Sequence, residues 1–193
     1  KSSMTTVYFV RHAQSDGSVL DARTRPLTPK GQKDCALVTA YLRDKQIQAV
    51  FSSPYQRAVD TVRPFVQEQK LPVETVEAFR EHETVGDTYA DQVYFPFIQQ
   101  YWNDLTFKLP GDESIADLQK RNIDALEKIL REHAGESVVV GTHGMALASI
   151  LRYYDGVFGF ADFLDMVKRK PWIVKLVFDG SQTPAISYVD LFA

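Results

Sequence analysis

Hydrophobic residues recur with two different spacings along the chain, and these spacings predict β-strands and α-helices in alternation. Short apolar runs predict strands at about residues 7–10, 49–52, 73–76, 137–141, 172–178 and 185–189. Apolar stripes with helical spacing predict helices at about residues 29–45, 53–70, 113–133, 145–153 and 161–168. Thr28-Pro29 and Ser53-Pro54 mark the first two helix starts, because Ser or Thr caps free N–H groups and Pro fits the first turn.

This alternation predicts an α/β fold, a three-layer sandwich with a mostly parallel central sheet and helices on both faces. Val138-Val139-Val140 is the continuous apolar run expected of a strand buried on both faces. The last two strands flank Asp179-Gly180 and predict a closing antiparallel hairpin. A length of 193 residues predicts one domain spanning residues 1–193. Between about 84 and 112 the regular pattern gives way to crowded aromatic residues with weak strand character and some helical spacing.

Net charge, cysteine count and the length of apolar runs limit the partners and the location that the sequence predicts. The net charge of −3 and a pI near 5.8 argue against a protein that coats nucleic acid. The lone cysteine, Cys35, excludes an intrachain disulfide and fits a reducing compartment. No run reaches the ~18–20 apolar residues of a membrane span, and the polar start at residues 1–6 does not resemble a signal peptide. A cytoplasmic protein with no membrane or nucleic-acid partner is therefore predicted.

Chemically versatile residues follow the predicted strands. The carboxyl ends of parallel strands share one edge of the sheet, and functional groups collect there. Arg11 and His12 follow the first strand, and Arg57 begins the helix after the second. The remaining two strand ends deliver Arg80, Glu81, His82 and Glu83, and Thr142, His143 and Gly144. Two histidines, two arginines and a carboxylate are thus predicted to meet in space.

This set of groups favours phosphoryl transfer. Arginine binds phosphate oxygens with a planar fork, and helix N-termini behind Ser53 and Gly144 add N–H donors. Neighbouring arginines keep an imidazole neutral and nucleophilic, and a carboxylic acid can protonate the departing oxygen. No metal or cofactor is required, because arginine and histidine supply the positive charge. The P-loop, dinucleotide-binding and GxSxG motifs are absent, and Gly86 stands where the zinc motif beginning at His82 needs its second histidine.

An ordered set of short motifs resembles the histidine phosphatase superfamily, the phosphoglycerate mutase-like group. These motifs are VRHAQS at 10–15, PLTPKGQ at 26–32, SSPYQRAVDT at 52–61, GDES at 111–114 and VVVGTHG at 138–144. The resemblance implies a phosphohistidine at His12 and a phosphoryl group surrounded by Arg11, Arg57 and His143. It also implies Glu81 as proton donor and later as base. The residues expected near the substrate or its phosphate are Gln14, Ser15, Thr142 and Gly144.

The resemblance further implies that residues 84–112 form a small cap over the pocket. Ala13 replaces the glycine frequent after the family's Arg-His pair, a tolerated variant. Gly86 lies five residues after Glu81, where four are expected, so Glu83 is a rival for the role of acid. Arg23 and Arg25 precede the first helix and are either ordinary surface arginines or specificity determinants that reach over the pocket.

Family members divide into phosphatases and mutases, and the sequence favours a phosphatase. The mutases tend to be longer, and a bisphosphorylated intermediate favours extra basic residues in the cap. Residues 84–112 instead hold a single Lys108 against Asp87, Asp91, Asp104 and Asp112. The predicted enzyme is a metal-independent acid or neutral phosphatase for a small phosphate monoester. A mutase and a non-catalytic phospho-ligand or protein-binding relative are the alternatives. Seven aromatic residues in the cap either contact a flat leaving group or pack the cap onto the sheet.

Overall fold

The computed structural model describes residues 4–85 and 91–193, with the backbone alone at 91–96. Within these ranges the chain forms six strands, six α-helices and a short 3₁₀ helix at Glu77–Phe79. The strands are β1 Thr5–Arg11, β2 Ala49–Ser52, β3 Val73–Thr75, β4 Ser137–Thr142, β5 Trp172–Phe178 and β6 Ala185–Val189. The helices are α1 Pro29–Leu42, α2 Gln56–Gln69, α3 Asp91–Asn103, α4 Ile115–Glu132, α5 Gly144–Tyr154 and α6 Phe160–Met166.

All six strands form one sheet in the order β3-β2-β4-β1-β5-β6. The four strands from β3 to β1 run parallel, whereas β5 is antiparallel to β1 and β6 is antiparallel to β5. The mostly parallel sheet and the closing hairpin are confirmed. Because β5 runs in the opposite direction, its beginning lies at the same edge as the ends of β1 and β4.

Helices cover both faces of the sheet, as the three-layer prediction requires. Val7 and Phe9 of β1 pack with the apolar residues of α4, α5 and α6. Tyr8 and Val10, which point to the opposite face, pack with α1 and α2. The strict alternation of side chains along β1 thus divides the interior into two apolar layers.

Two helices begin later than the sequence pattern predicts. α2 begins at Gln56, because the Ser53 hydroxyl is fully buried and bonds to His143 and to the Tyr55 N–H instead of capping a helix. α4 begins at Ile115, and its N-cap is Ser114, whose Oγ accepts from the Asp117 N–H at 3.1 Å. The Thr28 cap of α1 is confirmed, with its Oγ1 accepting from the Gly31 N–H at 3.0 Å.

The irregular segment at 84–112 contains helix α3, whose last turns pack into the core. Tyr101 and Trp102 are buried there, and Phe97 and Phe107 are partly buried against them. Of the other predicted cap aromatics, Tyr89 and the side chains of Tyr94 and Phe95 lie outside the described residues. The four described rings therefore pack against the core. None of the helices within 4–85 and 91–193 combines the length and apolarity needed to cross a bilayer.

Candidate active site

The two histidines lie side by side where the neighbouring strands β1 and β4 end. Arg11 pairs with Thr142 in the parallel ladder, and the His12 N–H donates to the Thr142 carbonyl at 3.2 Å. The rings of His12 and His143 have centroids 5.3 Å apart. The sheet backbone therefore sets their spacing, as the rule for parallel strand ends predicts.

His12 is oriented with one nitrogen free of a proton. Its Nδ1 lies 2.7 Å from the Ala13 carbonyl, which only accepts, so Nδ1 carries the hydrogen. Nε2 then holds a lone pair, and the Nε–H of Arg57 donates to it at 3.3 Å. Burial and the charges of Arg57, Arg11 and Lys170 hold the pKa of His12 well below its usual value. The ring is therefore neutral and nucleophilic at pH 7.

Arg57 brings a buried positive charge to the ring of His12. Its side chain is 1% exposed and its Nη1 donates to the Ala22 carbonyl at 2.5 Å. Among the described residues, no carboxylate lies within ion-pair distance of this guanidinium. Buried charges are normally paired, so an uncompensated guanidinium is a prepared site for an anion.

Arg11 connects the site to the end of α6. Its Nη1 donates to the carbonyls of Met166, Val167 and Arg169 at 3.0, 2.8 and 3.1 Å. Gly144 lies against the same guanidinium, because a Cβ added there would be 3.0 Å from Nη2 of Arg11. A glycine at 144 therefore lets the start of α5 approach the arginine closely.

His143 is fully buried and its Nε2 lies 2.7 Å from the Ser53 hydroxyl. Burial, followed by the charges of Arg57, His12 and Arg11, holds the pKa of His143 well below its usual value. Nδ1 of His143 and Oγ1 of Thr142 have no hydrogen-bond partner among the described residues. Both atoms can therefore bond to a polar ligand that reaches them.

The two rival glutamates have different environments. The carboxylate of Glu81 accepts from the N–H groups of Met145 and Ala146 at 2.9 and 2.8 Å, at the N-terminus of α5. These two N–H groups belong to the second and third residues after His143, so the carboxylate lies near that histidine. The Glu83 side chain is 53% exposed and pairs with Arg80 at 2.5 Å. The geometry associates Glu81 with the histidines and gives Glu83 a place near the surface.

A cavity of about 260 Å³ is lined by Arg57 and both glutamates, whereas His12, His143 and Arg11 do not line it. Its lining residues are Ala22, Tyr55, Arg57, Glu81, His82, Glu83, Thr84, Val85 and Gly111. Tyr55 contacts both its neighbours, with its ring 5.2 Å from Cζ of Arg57 and 5.2 Å from the centroid of His143. Both glutamates reach this cavity, whereas the four described cap aromatics do not line it.

The predicted specificity residues differ in their placement. Arg23 lies near the cavity, with Cζ 5.4 Å from the Tyr55 ring, and forms an ion pair with Glu77. Arg25 is fully buried and its guanidinium donates to the carbonyls of Val19 and Leu20 at 2.7 and 3.0 Å. These contacts give Arg25 a structural role in its own loop, in contrast to the sequence interpretation.

Gln14 and Ser15 lie outside the cavity lining. The Oε1 atom of Gln14 accepts from the Thr28 hydroxyl at 2.8 Å. Ser15 forms an isolated antiparallel bridge with Leu27. Both residues therefore help to join the loop after β1 to the start of α1.

The sequence interpretation missed several residues that shape the site. Tyr55 lines the cavity, and the charge of Lys170 contributes to lowering the pKa of His12. The antiparallel direction of β5 was the available signal for Lys170, since it places the start of that strand beside His12. Arg121 of α4 donates to the backbone around Glu81, and only the tertiary structure brings it there. In the described part of the chain, no three His, Cys, Asp or Glu side chains are grouped to hold a metal ion.

Comparison with known proteins yields a consistent set of matches. The family model described as "Histidine phosphatase superfamily (branch 1)" matches residues 7–184. The metal-independent phosphoserine phosphatase of Arabidopsis thaliana is 29% identical, with 78% of this chain and 68% of the relative covered. A 2,3-bisphosphoglycerate-dependent phosphoglycerate mutase of Gloeobacter violaceus is 24% identical, with 77% and 83% covered. The structure of Bacillus stearothermophilus YhfR superposes with a TM-score of 0.78 at 22% identity, covering 98% of this chain and all of that one (100%).

Proposed function

The chain belongs to the histidine phosphatase superfamily, and we propose that it is a phosphomonoester hydrolase acting through a phosphohistidine on His12. Phosphatases among its relatives support the activity. The observation that carries the mechanism is the buried guanidinium of Arg57, which has no carboxylate partner in the described chain and lies 3.3 Å from Nε2 of His12. This arrangement joins an anion site to an unprotonated nucleophile.

The first step transfers the phosphoryl group to the enzyme. The Nε2 lone pair of His12 gives up its hydrogen bond with Arg57 and attacks phosphorus, and the bond from phosphorus to the leaving oxygen breaks. Glu81, in its acid form, gives its proton to that oxygen, so an alcohol departs.

The second step returns the enzyme to its starting state. The Glu81 carboxylate takes a proton from water, the water oxygen attacks phosphorus, and the phosphorus–nitrogen bond to His12 breaks. Inorganic phosphate is released and Glu81 is again protonated. Throughout both steps Nδ1–H of His12 donates to the Ala13 carbonyl and keeps the ring in one orientation.

The charge that develops on the phosphoryl oxygens is bound by groups fixed in advance. Arg57 and Arg11 supply positive charge, and Nδ1 of His143 is the nitrogen left to donate to an oxygen. Thr142 has a buried hydroxyl available for the same purpose. Gly144 lets the start of α5 lie against Arg11, and the N–H groups of Met145 and Ala146 there bond to Glu81. Donors fixed before the reaction lower its barrier without reorganising during it.

The leaving group is small in this proposal. A cavity of about 260 Å³ beside Arg57 and Glu81 is where we place the leaving group. Arg23 is the predicted specificity residue nearest this space, because it lies against Tyr55. Gln14 and Ser15 act by placing the loop after β1.

Mutase-type transfer is the second candidate, because a phosphoglycerate mutase is among the relatives. A mutase returns the phosphoryl group to a phosphorylated sugar acid, which adds negative charge at the pocket. Glu83 lines this cavity, and the sole lysine between 84 and 112 is Lys108. This shortage of basic residues favours water as the acceptor.

The test measures p-nitrophenyl phosphate hydrolysis by the purified protein in EDTA, together with acid-labile phosphohistidine in quenched samples. We expect turnover at mildly acidic to neutral pH and a phosphoenzyme that is absent from His12→Ala. No turnover would favour the non-catalytic relative, and a phosphoenzyme in His12→Ala would place the nucleophile elsewhere. Mutase assays with 3-phosphoglycerate and 2,3-bisphosphoglycerate complete the test, because faster transfer to the sugar acid than to water would favour a mutase.

A further inference from the structure

The guanidinium of Arg121 uses all its N–H donors to bind Glu113 and the segment that carries Glu81. Arginine has five N–H donors, and each donor of Arg121 has an acceptor. Nε and Nη2 donate to the two carboxylate oxygens of Glu113, both at 2.8 Å. Nη1 donates to the carbonyls of Ala78 and Arg80 at 2.6 and 2.7 Å. Nη2 also donates to the carbonyl of Glu81 itself at 3.0 Å.

Glu113 holds the same segment from its other side. Its N–H donates to the Glu83 carbonyl at 2.8 Å, and its Oε1 accepts from the Glu83 N–H at 3.1 Å. Its carbonyl accepts from Nε2 of His82 at 2.5 Å. Arg121 and Glu113, with side chains only 15% and 12% exposed, therefore form a clamp around residues 78–83. We call this pair the Arg121–Glu113 clamp.

The clamp matters because Glu81 lies outside the strands and helices and is held only by contacts with them. Residues 80–84 have no regular secondary structure, in contrast to the strands that end at His12 and His143. The Glu81 side chain bonds to the start of α5, and its backbone bonds to Arg121 of α4. Arg121 does not line the cavity, so it has no direct contact with a substrate there.

We infer that Arg121 and Glu113 are positioning residues that hold the Glu81 carboxyl group at the leaving oxygen. The inference rests on the proposed function. A proton donor contributes about 10²–10⁴-fold to such a step, and small misplacement removes much of that contribution. The clamp should therefore matter most when the leaving oxygen needs a proton.

Two aryl leaving groups of different basicity separate this role from a merely structural one. p-Nitrophenolate leaves readily as an anion, whereas phenolate is more basic and benefits from protonation. Arg121→Lys keeps the charge but removes the planar fork. We expect phosphohistidine formation from phenyl phosphate to slow by about tenfold or more, and from p-nitrophenyl phosphate by less than about threefold. Rapid-quench single-turnover measurements give both rates.

The chain offers a matched control at Arg43, which bonds to both carboxylate oxygens of Glu68 at 2.8 Å far from the site. Arg43→Lys makes the same change and should leave both rates unaltered. In a Glu81→Gln background, Arg121→Lys should add almost nothing, because residues that act through one group are not additive. Glu113→Gln, which keeps one acceptor oxygen, is the second variant. It should also slow phenyl phosphate more than p-nitrophenyl phosphate, by a smaller ratio.

Equal slowing with both substrates, or an undiminished effect in the Glu81→Gln background, would overturn the positioning role while leaving the phosphatase intact. If Arg121→Lys does not fold, the positioning role is tested with Glu113→Gln, by its ratio of phosphohistidine formation rates with phenyl phosphate and p-nitrophenyl phosphate. A wild-type protein without phosphohistidine would instead remove the proposed function, and the clamp's role with it. Thermal unfolding of each variant shows whether the ratio of the two rates changes without a loss of stability.

Discussion

The Nε–H of Arg57 points at Nε2 of His12 across 3.3 Å, so a buried cation faces the lone pair proposed to attack phosphorus. This contact serves two purposes. It places a donor where phosphoryl oxygens would bind, and it disfavours protonation of the ring. The nucleophile and its electrostatic environment therefore depend on one side chain.

Replacing Arg57 should weaken catalysis and change its pH dependence. Arg57→Met removes a preorganised donor, for which losses of about 10²–10³-fold in rate are typical. It also removes one cause of the lowered pKa of His12, so that pKa should rise and the acid limb of kcat/KM should move to higher pH. Kinetics with p-nitrophenyl phosphate and NMR titration of the ring test both effects. Arg63→Met, at a half-exposed arginine of α2, is the control; an equal loss there would contradict the role of Arg57.

The buried histidines should make the fold sensitive to acid. Both have pKa values held well below normal, mainly by burial, whereas unfolded histidine titrates near 6.5. Below about pH 6.5 the unfolded chain binds protons that the native chain does not, so the free energy of unfolding falls as pH decreases. Each histidine contributes up to about 1.4 kcal/mol per pH unit.

Urea unfolding at several values between pH 7.5 and 5 measures this slope. His143→Gln removes one of the two groups and should make the slope shallower, even if the variant is less stable overall. Inorganic phosphate should stabilise the wild-type protein. A stability independent of pH over this window, or an unchanged slope in the variant, would contradict the prediction.

The two glutamates should differ in their effect on leaving groups. Glu81 bonds to the start of α5 beside His143, whereas Glu83 pairs with Arg80 and is half exposed. Glu81→Gln should slow phosphohistidine formation from phenyl phosphate by about 10²-fold, with a smaller loss for p-nitrophenyl phosphate. Glu83→Gln should cost less than about threefold with either substrate. The reverse order would assign the acid to Glu83.

A single added methyl group should disturb the phosphate site. In Gly144→Ala the new Cβ would lie 3.0–3.2 Å from three guanidinium atoms of Arg11, whose Nη1 is held by three carbonyls. Losing about 1.4 kcal/mol of a charge-assisted contact raises an inhibition constant tenfold, and we expect about that change for inorganic phosphate. Gly156→Ala, where nothing lies within 4 Å, is the control and should bind phosphate normally.

Much of the fold follows from the sequence because buried strands leave a strong local pattern. The predicted bounds of β2, β5 and β6 agree with the structure, and strand-end logic brings His12 and His143 together. The hydrogen-bond partners of the arginine side chains cannot be predicted from the sequence in this way. Arg25 turns into its own loop and Arg121 reaches the Glu81 segment across 40 residues of sequence, since long side chains find partners that only tertiary packing supplies.

The ladder between β1 and β4 has a consequence for how the protein would lose its function. Breaking the spacing of His12 and His143 requires opening central strands, which normally demands the full free energy of global unfolding. The segment with Glu81 has no such ladder and would open earlier, in a local fluctuation. In mild denaturant the protein would first lose activity toward substrates whose leaving oxygen needs a proton. At higher denaturant concentration it would also stop transferring phosphoryl groups to His12.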